Sequence, residues 1–380
     1  MVDAQHLLAF CRAQQDWLLA TIRALVALES PTNEKAAVDR CGAELAARLA
    51  GLGANVTAIK ETTAGNHLRA EFGNGQRQIM LLGHFDTVWP IGQIDRMPLK
   101  QEGDFLHGPG VFDMKAGIAI GVLAARALLE ARSLDAFRLV MLWTTDEETG
   151  SRTSRELLEA EARRSEAVLV LEPALPGGAL KTRRKGCGEY EVAVRGVAAH
   201  AGVDPDKGVS AIRELARQIL FIETLQDLTR GISVNVGIVD GGSRPNVVAA
   251  EARAVVDARA PTLADADRID AVMRSLTPHL RGATIDVRGG FSRPPMERTP
   301  GVARLYETAQ AAASDLGQSI EEGSTGGGSD GNFCAALGVP TLDGLGAIGD
   351  GAHAVHEYID VAMLAPRSAL VARIIQRLVT

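Results

Sequence analysis

The stretch LLGHFDTVWP, residues 81–90, carries a run of apolar residues directly into a histidine and a carboxylate. Side chains two positions apart in an extended segment point to the same face, so His84 and Asp86 share one side of the strand end. A lone histidine at a strand end is more often a hydrogen-bonded structural residue than a ligand. The neighbouring carboxylate of Asp86 favours the other interpretation, in which His84 is a ligand and Asp86 lies beside it. The rest of the sequence must decide between a structural histidine and a ligand.

Strand-like and helix-like segments alternate around this stretch. Apolar runs at 78–86, 138–148 and 167–173 are typical of strands, and residues 114–132 and 151–164 have helical spacing. Strands that alternate with helices indicate an α/β domain with a mostly parallel sheet.

After Pro173 a loop rich in proline, glycine and basic residues looks like a linker. The segments that follow have the order β-α-β-β-α-β, which is that of a ferredoxin-like split unit. From about Gly289 the chain returns to the first domain. The pattern therefore predicts a domain built from residues 1–180 and 290–380, interrupted by an inserted α+β domain of residues 181–289.

Composition excludes several classes of protein. A chain of 380 residues exceeds what one hydrophobic core usually holds, and its net charge of −7 argues against nucleic-acid binding. The basic run at 181–185 is either a solvated loop or an anion site. Four scattered cysteines suggest neither a disulfide framework nor a thiolate zinc site. Without an apolar run of about 18 residues, we expect a cytoplasmic protein with no membrane span.

Carboxylates and imidazoles follow several of the predicted elements. They are Asp113, Glu147, Glu148, Glu172, His353 and His356. Singly, each has a structural explanation, such as a helix cap for Asp113. A carboxylate at the end of an apolar strand, as at Glu172, is costly unless it is paired or bound to a cation. Nitrogen and oxygen ligands without sulfur suit zinc, cobalt or manganese, and open α/β sheets place their sites at the carboxyl ends of strands.

Eight segments together resemble a known family. They are, in order, GHFDTV, GPGVFDMKAG, TTDEETGS, LEP, GVAAHAG, RPNVV, STGGGSDG and HAVHEYI. The ordered set, which spans almost the whole chain, is similar to that of the zinc-dependent co-catalytic exopeptidases, the family of glutamate carboxypeptidase, acetylornithine deacetylase and succinyl-diaminopimelate desuccinylase. The resemblance implies a zinc-exopeptidase catalytic domain with an inserted ferredoxin-like dimerisation domain, and therefore a homodimer.

The resemblance also implies two Zn²⁺ ions, with cobalt or manganese as alternatives, and five protein ligands. The ligands are His84, Asp113, Glu148, Glu172 and His353. Asp113 would bridge the two ions. The family has a histidine four or five residues before the EY pair, which favours His353 over His356. Two metal ions held in this way would activate a water molecule for amide hydrolysis.

Three catalytic roles follow from the same resemblance. Glu147 would be the general base that takes a proton from the water and delivers it to the leaving nitrogen. Asp86 would orient His84. His200 would reach into the partner subunit's site and stabilise the oxyanion, although by itself it is typical of a surface-loop histidine.

Substrate contacts are implied at four positions. Arg259 would pair with a free α-carboxylate through a bidentate contact, and Asn246 would also bind the substrate. Gly327 and Gly328, in the run 326–331, would either close on the substrate through backbone donors or form a tight turn.

The expected function is a di-zinc hydrolase that cleaves the amide bond to a C-terminal amino acid with a free carboxylate. The motif STGGGSDG, the residue Glu172 and the motif VVDAR favour the glutamate carboxypeptidase branch, with Lys181, Arg183 or Arg184 as candidates for binding a side-chain carboxylate. The substrate would be a small N-acyl or peptidyl amino acid. An N-acyl-amino-acid deacylase is the alternative, and a non-catalytic metal-binding protein is disfavoured because Glu147 and the ligands are all present.

Overall fold

The protein was analysed as a computed structural model, which describes residues 3–134 and 137–379. Met1, Val2 and Thr380, at the ends of the predicted catalytic domain, lie outside the described residues. The helices are α1 (Ala4–Ala13), α2 (Gln15–Ala27), α3 (Lys35–Gly51), α4 (Gln93–Arg96), α5 (Ala116–Glu130), α6 (Arg155–Ala162), α7 (Ala211–Glu223), α8 (Leu263–Arg274), α9 (Pro300–Asp315), α10 (Gly331–Ala336) and α11 (Leu364–Val379).

The strands of the described residues fall between these helices. They are β1 (Asn55–Ile59), β2 (His67–Phe72), β3 (Arg77–His84), β4 (Lys100–Glu102), β5 (Phe105–His107), β6 (Phe137–Thr144), β7 (Ala167–Val170), β8 (Leu180–Arg184), β9 (Gly186–Arg195), β10 (Ser233–Gly241), β11 (Glu251–Ala260), β12 (Thr284–Arg293), β13 (Glu322–Thr325), β14 (Thr341–Leu342), β15 (Gly349–Asp350) and β16 (Tyr358–Asp360).

The chain divides into two compact units. The second unit comprises Arg183–Glu297 and Thr325–Gly328, and the first unit comprises the rest of the described residues. The sequence pattern returned the chain to the first domain at residue 290. In the structure, residues 290–297 belong with the second unit, because β12 continues to Arg293.

The main sheet of the first unit has the order β1-β2-β6-β3-β7-β14. The pairs among β6, β3, β7 and β14 are parallel, whereas β1 pairs with β2 and β2 pairs with β6 in antiparallel fashion. The loop from β1 to β2 is too short for the crossover that a parallel pair needs. The sheet is thus mixed, with a parallel half and an antiparallel edge.

Strand β3 is buried on both faces, which explains its unbroken apolar run. Ile79 and Leu81 pack in the larger core cluster, which includes residues of α5 and α11. Met80 and Leu82 pack on the opposite face in a second cluster that contains Phe333 of α10. Helices on both faces leave the carboxyl ends of the parallel strands as the open edge of the sheet.

The second unit has its own sheet, with the order β10-β11-β9-β12 and antiparallel pairs throughout. Alternate residues of β9, including Tyr190 and Val192, pack with Leu215 of α7 and Ile269 of α8. This strand order and the two helices form the ferredoxin-like split unit that the segment order indicated.

The expected linker after Pro173 is partly a strand, β8, rather than an open loop. Lys181 and Arg184 are 7% and 3% exposed, so only part of the basic run faces solvent, as at Arg183. Among the described residues no helix is long and apolar enough to cross a membrane, and the four cysteines are free thiols.

Candidate active site

The first ligand group lies at the carboxyl ends of two neighbouring parallel strands. His84 ends β3, and Glu172 follows the last residue of β7 by two positions. The Nε2 atom of His84 lies 3.2 Å from Oδ1 of Asp113 and 3.4 Å from Oε1 of Glu172. These three side chains could hold a metal ion, because their ligand atoms lie within 4.8 Å of one another.

The second ligand group consists of Asp113, Glu148 and His353. The Nε2 atom of His353 lies 3.2 Å from Oε2 of Glu148 and 3.5 Å from Oδ2 of Asp113. His353 has a left-handed backbone conformation, with φ of 63°, which is rare for a residue other than glycine and is often found at functional sites. The exposed His356 belongs to neither of the groups found among the described residues.

The charge of the site favours cations. Hydrogen bonds to Asp113 and Glu148 raise the pKa of His353 to about 10. Burial alone would lower the pKa of His84, but hydrogen bonds to Asp113 and Asp86 raise it well above its ordinary value. The carboxylates thus stabilise a positive charge on both imidazoles, and they would stabilise a metal cation in the same way. Oxygen and nitrogen donors suit zinc-like ions. The two groups therefore fit a pair of divalent ions that share Asp113.

Asp86 contacts both groups from behind. Its Oδ1 atom and backbone oxygen lie 3.3 Å and 3.1 Å from Nδ1 of His84. Its Oδ2 atom accepts hydrogen bonds from Oγ1 of Thr32 at 2.8 Å and from the backbone N–H of Glu148 at 3.3 Å. Oxygens facing Nδ1 keep a proton there, which leaves Nε2 of His84 directed at Asp113 and Glu172.

Glu357 holds the turn that carries Asp113, and the sequence did not reveal this role. Its Oε1 atom accepts from the N–H groups of Phe112 and Asp113 at 2.8 Å and 3.0 Å. Its Oε2 atom accepts from the N–H of Gly110 at 2.8 Å and from the indole of Trp89 at 2.9 Å. The HEY motif marked the position of Glu357, but its donors are distant in sequence.

Two buried cations fix the surroundings of the ligands. Lys115 is fully buried, and its Nζ atom donates to the carbonyl oxygens of Leu25 and Leu28 at the end of α2, both at 2.9 Å. This contact anchors the turn that contains Asp113 to a helix, whose last carbonyls attract a cation.

Arg367 of α11 supports Glu172 in a similar way. Its guanidinium donates to the carbonyl oxygens of Gly346 at 3.0 Å, of Gly178 at 2.9 Å and of Gly344. The N–H of Gly346 in turn donates to the backbone oxygen of Glu172 at 2.9 Å. Burial lowers the pKa of Arg367 to about 10, and the three carbonyls offset part of that cost.

Glu147 precedes Glu148 in the short 3₁₀ turn Glu147–Thr149 that follows β6. The two adjacent carboxylates are both partly exposed, and Glu148 faces His353. A second carboxylate beside the ligand set can take part in proton transfer without being a ligand.

The remaining predicted residues lie in the second unit. The Nδ1 atom of His200 accepts hydrogen bonds from the N–H groups of Gly202 at 3.2 Å and Val203 at 3.1 Å. The neutral ring therefore carries its proton on Nε2, which is a hydrogen-bond donor. Asn246 lies on the adjacent segment, where its backbone carbonyl oxygen accepts a hydrogen bond from the N–H of Ala201.

Arg259 is held on one side of its guanidinium. Nε and Nη2 donate to the two carboxylate oxygens of Asp257 at 3.0 Å and 2.8 Å, and Nη1 contacts Sγ of Cys187. These contacts involve all three guanidinium nitrogens and fix the plane of the group.

The glycine loop Thr325–Gly328 is anchored within the same unit. Nη1 of Arg184 donates to the carbonyl oxygens of Gly327 and Gly328, both at 3.1 Å. A methyl group on Gly328 would lie 3.0 Å from Sγ of Cys187, whereas one on Gly327 would meet open space. The loop therefore packs tightly at one glycine and loosely at the other.

Two overlapping carboxylate and imidazole groups at the strand ends of an α/β sheet are the arrangement of a metallohydrolase. The profile of Peptidase family M20/M25/M40 matches residues 80–377, and the chain belongs to this family of metallopeptidases. The family resemblance drawn from the eight segments is thereby confirmed.

Similar proteins differ in what they act on. Carboxypeptidase G2 of Pseudomonas sp. (strain RS-16) is 31% identical over 376 residues, which cover 96% of this chain and 90% of that protein. Acetylornithine deacetylase of Myxococcus xanthus is 34% identical over 201 residues, 49% of this chain and 50% of that protein. The crystal structure of the YXEP protein of Bacillus subtilis, a dinuclear metal-binding peptidase of the M20 family, has a TM-score of 0.71 at 15% identity and covers 97% of this chain and 99% of that one. The family is therefore certain, and its members divide between peptidases and deacylases.

Proposed function

We propose that this protein is a di-zinc hydrolase that cleaves the amide bond to a C-terminal amino acid with a free α-carboxylate, with glutamate as the preferred leaving amino acid. The observation that carries the proposal is the pair of ligand groups sharing Asp113, with Glu147 beside them. The similarity to carboxypeptidase G2 over nearly the whole chain supports the carboxypeptidase direction. Cobalt or manganese would suit the same donors.

Each of the two ligand groups would bind one metal ion. His84, Asp113 and Glu172 would hold one ion, and Asp113, Glu148 and His353 would hold the other. When bound, such ions supply Lewis acidity toward a carbonyl oxygen and a water molecule. Asp86 keeps the proton of His84 on Nδ1.

Glu147 moves the proton. Its carboxylate accepts a proton from the attacking water while the water oxygen bonds to the amide carbon. It then gives that proton to the leaving nitrogen as the carbon–nitrogen bond breaks. The products are a carboxylic acid and a free amino acid, and Glu147 returns to its starting charge.

The second unit binds the substrate. The Arg259 guanidinium pairs with the α-carboxylate, and Asn246 and the N–H groups of Gly327 and Gly328 provide further hydrogen bonds. His200 donates from Nε2 to the oxyanion in the partner subunit's site of a homodimer. Its Nδ1 contacts with Gly202 and Val203 support this tautomer. Four free thiols suit a cytoplasmic location.

An N-acyl-amino-acid deacylase is the second candidate, because the chain also resembles an acetylornithine deacetylase over half its length. Metal analysis of the purified protein, followed by a chromatographic screen, separates the candidates. Release of glutamate from peptidyl or folyl glutamates, well above the rate for N-acetyl amino acids, supports the carboxypeptidase. The opposite preference supports the deacylase, and no hydrolysis at full metal content would contradict both.

The role of His200 across the subunit boundary is tested by mixing variants. His200→Ala and Glu147→Gln chains are each expected to be inactive, and half of the dimers from an equal mixture combine one of each. One site of each mixed dimer then has both residues, so about a quarter of native activity returns. Mixed dimers without activity would assign His200 to its own chain or to no site.

A further inference from the structure

Two buried side chains each contact both sides of the carboxylate segment, residues 144–153, which carries Glu147 and Glu148. They are Asp330 of the STGGGSDG motif, which is 3% exposed, and His67 of β2, which is fully buried. Both belong to the first unit, as the segment does. The proposed proton transfer and substrate contacts involve neither of them.

Asp330 joins the start of the segment to its second half. Its Oδ2 atom accepts a hydrogen bond from the hydroxyl of Thr144 at 2.9 Å, and its Oδ1 atom accepts one from the hydroxyl of Ser151. Asp330 directly precedes α10, where an aspartate usually caps the helix. Within the part of the chain that the structure describes, its side chain makes no cap bond to α10. A helix cap therefore does not account for this aspartate.

His67 joins two further residues of the segment. Its Nδ1 atom lies 2.9 Å from Oγ1 of Thr145, and its Nε2 atom lies 3.1 Å from Oγ1 of Thr153. Each of the two buried side chains thus contacts one hydroxyl before the adjacent carboxylates and one hydroxyl after them. This arrangement fixes the two sides of the segment relative to each other.

The backbone of Ser151 depends on these contacts. Its φ of 58° is left-handed, a conformation that is costly for a residue other than glycine and persists only where the surroundings hold it. The N–H of Ser151 donates to the backbone oxygen of Asp146 at 2.7 Å, and its hydroxyl donates to Asp330. Without the hydroxyl, this side of the segment should relax.

Asp330 also relates the segment to the first ligand group. Thr144 is the last residue of β6, and it pairs with His84 in the parallel part of the main sheet. A carboxylate that binds both Thr144 and Ser151 therefore ties the segment to the strand beside His84.

We propose that Asp330 and His67 are positioning residues that set the base Glu147 and the ligand Glu148 in place relative to His84. This inference rests on the proposed function, since it names the supports of two residues of that hydrolase. The effect of both supports passes through the carboxylate segment and not through contact with the substrate.

Ser151→Ala tests the contact with Asp330 while leaving every carboxylate in place. We expect the affinity for the more weakly held zinc equivalent to fall about tenfold, and the affinity for the other to change less than about twofold. On the zinc-loaded protein, kcat for peptidyl or folyl glutamates should fall about tenfold with KM nearly unchanged, because the base is displaced and the substrate contacts are not. Metal analysis over a series of chelator concentrations and steady-state kinetics measure the two effects.

Ser165→Ala is the matched control. The buried hydroxyl of Ser165 accepts from Nε2 of Gln78 and donates to the backbone oxygen of Glu161, both at 3.0 Å, near the start of β3 and not at its carboxyl end. This variant should lower the urea midpoint but leave zinc affinity and kcat unchanged. The inference is overturned by native behaviour of Ser151→Ala, by equal weakening of both zinc equivalents, or by the same site defect in the control.

Two further variants test the buried side chains themselves. Asp330→Asn combined with Ser151→Ala should be little worse than Asp330→Asn alone, because both changes remove one contact. His67→Phe keeps a ring and loses both hydroxyl contacts, so it should weaken the same zinc equivalent about tenfold. Additive losses in the first pair, or a native His67→Phe protein, would contradict the positioning roles.

The zinc measurements separate this inference from the function on which it rests. A zinc-loaded native protein that hydrolyses none of the substrates would overturn the proposed function. The affinity of each variant for the two zinc equivalents would still decide whether Asp330 and His67 position the ligand Glu148.

Discussion

The two ligand groups share Asp113 but are built from different kinds of structure. In the first group, His84 is the last residue of a buried strand, and its side chain is 1% exposed. In the second group, the side chain of His353 is 51% exposed and stands in a loop, and Glu148 stands in a turn. The histidine of the first group thus belongs to a strand of the sheet, whereas His353 and Glu148 of the second group belong to a loop and a turn outside the strands.

The difference has a physical cause. Strand β3 is bonded on both sides by parallel neighbours, so His84 has little freedom to move. His353 stands in a loop, and its ring contacts the carboxylates of Asp113 and Glu148. We therefore expect the first group to hold an ion more firmly than the second group would, and the second group to be more accessible to water and substrate.

The largest expected effect separates the base from the ligand next to it. Glu147→Gln should lower kcat by about 10²- to 10⁴-fold, because an amide cannot accept the proton, while both metals remain bound. Glu148→Gln is the matched control and should lose metal from the second group. Metal analysis beside turnover measurements checks both variants. Equal metal loss in the two would show that the adjacent carboxylates do not have separate roles.

The metal-free protein offers a direct test of the buried and exposed histidines. His84→Ala leaves Asp86, Asp113 and Glu172 without their buried partner, and should lower the free energy of unfolding by about 3–5 kcal/mol. His353→Ala removes a half-exposed partner and should cost about 1 kcal/mol or less. Urea unfolding of both variants measures the difference. Similar costs would mean that burial does not distinguish the two groups.

Glu357→Gln tests whether the shared ligand depends on its buried support. Each oxygen of Glu357 accepts two N–H groups, so an amide in either orientation turns its own N–H₂ toward two donors. We expect metal affinity to fall about 10- to 100-fold, as measured by competition with a chromophoric chelator. Trp89→Phe removes one donor and keeps the three backbone contacts, so its effect should be clearly smaller. A larger effect of Trp89→Phe would contradict the positioning role.

The smallest expected effect concerns the order in which the ions leave. With a chelator in excess, zinc release from the native protein should show two phases, the faster one roughly fivefold faster than the slower. The faster phase is assigned to the second group, so His353→Ala should lack it. Stopped-flow absorbance of the chelator complex records both phases. A single phase of two equivalents would indicate that the two groups hold their ions equally.

Much of the candidate site is visible in the sequence because it follows strand ends. The apolar runs before His84 and Glu172 placed both residues at one edge of a parallel sheet, and in the structure their ligand atoms lie within 4.8 Å of one another and of a ligand atom of Asp113. The family motifs favoured His353, which is in the second group, over His356. The site roles of all these residues remain predictions that the variants above address.

The basic run after Pro173 shows where the pattern misled. Glycine and charge suggested a linker with a solvated face, but β8 forms there and Arg184 is buried. The backbone of Arg184 pairs with Met296, more than a hundred residues later, and its side chain binds the glycine loop. Pairing with distant segments overrode the local preference.

The sequence by itself determined the alternation of strands and helices, the inserted split unit, the family and the residues at the strand ends, because each leaves a local pattern of apolar and polar residues. Only the tertiary structure decided which side chains hold those residues in place. Glu357 and Arg367 satisfy buried backbone groups on remote loops, and backbone groups have no letter in the sequence. The different exposure of the two histidine ligands, 1% for His84 and 51% for His353, likewise arises only once the sheet and its loops are packed together.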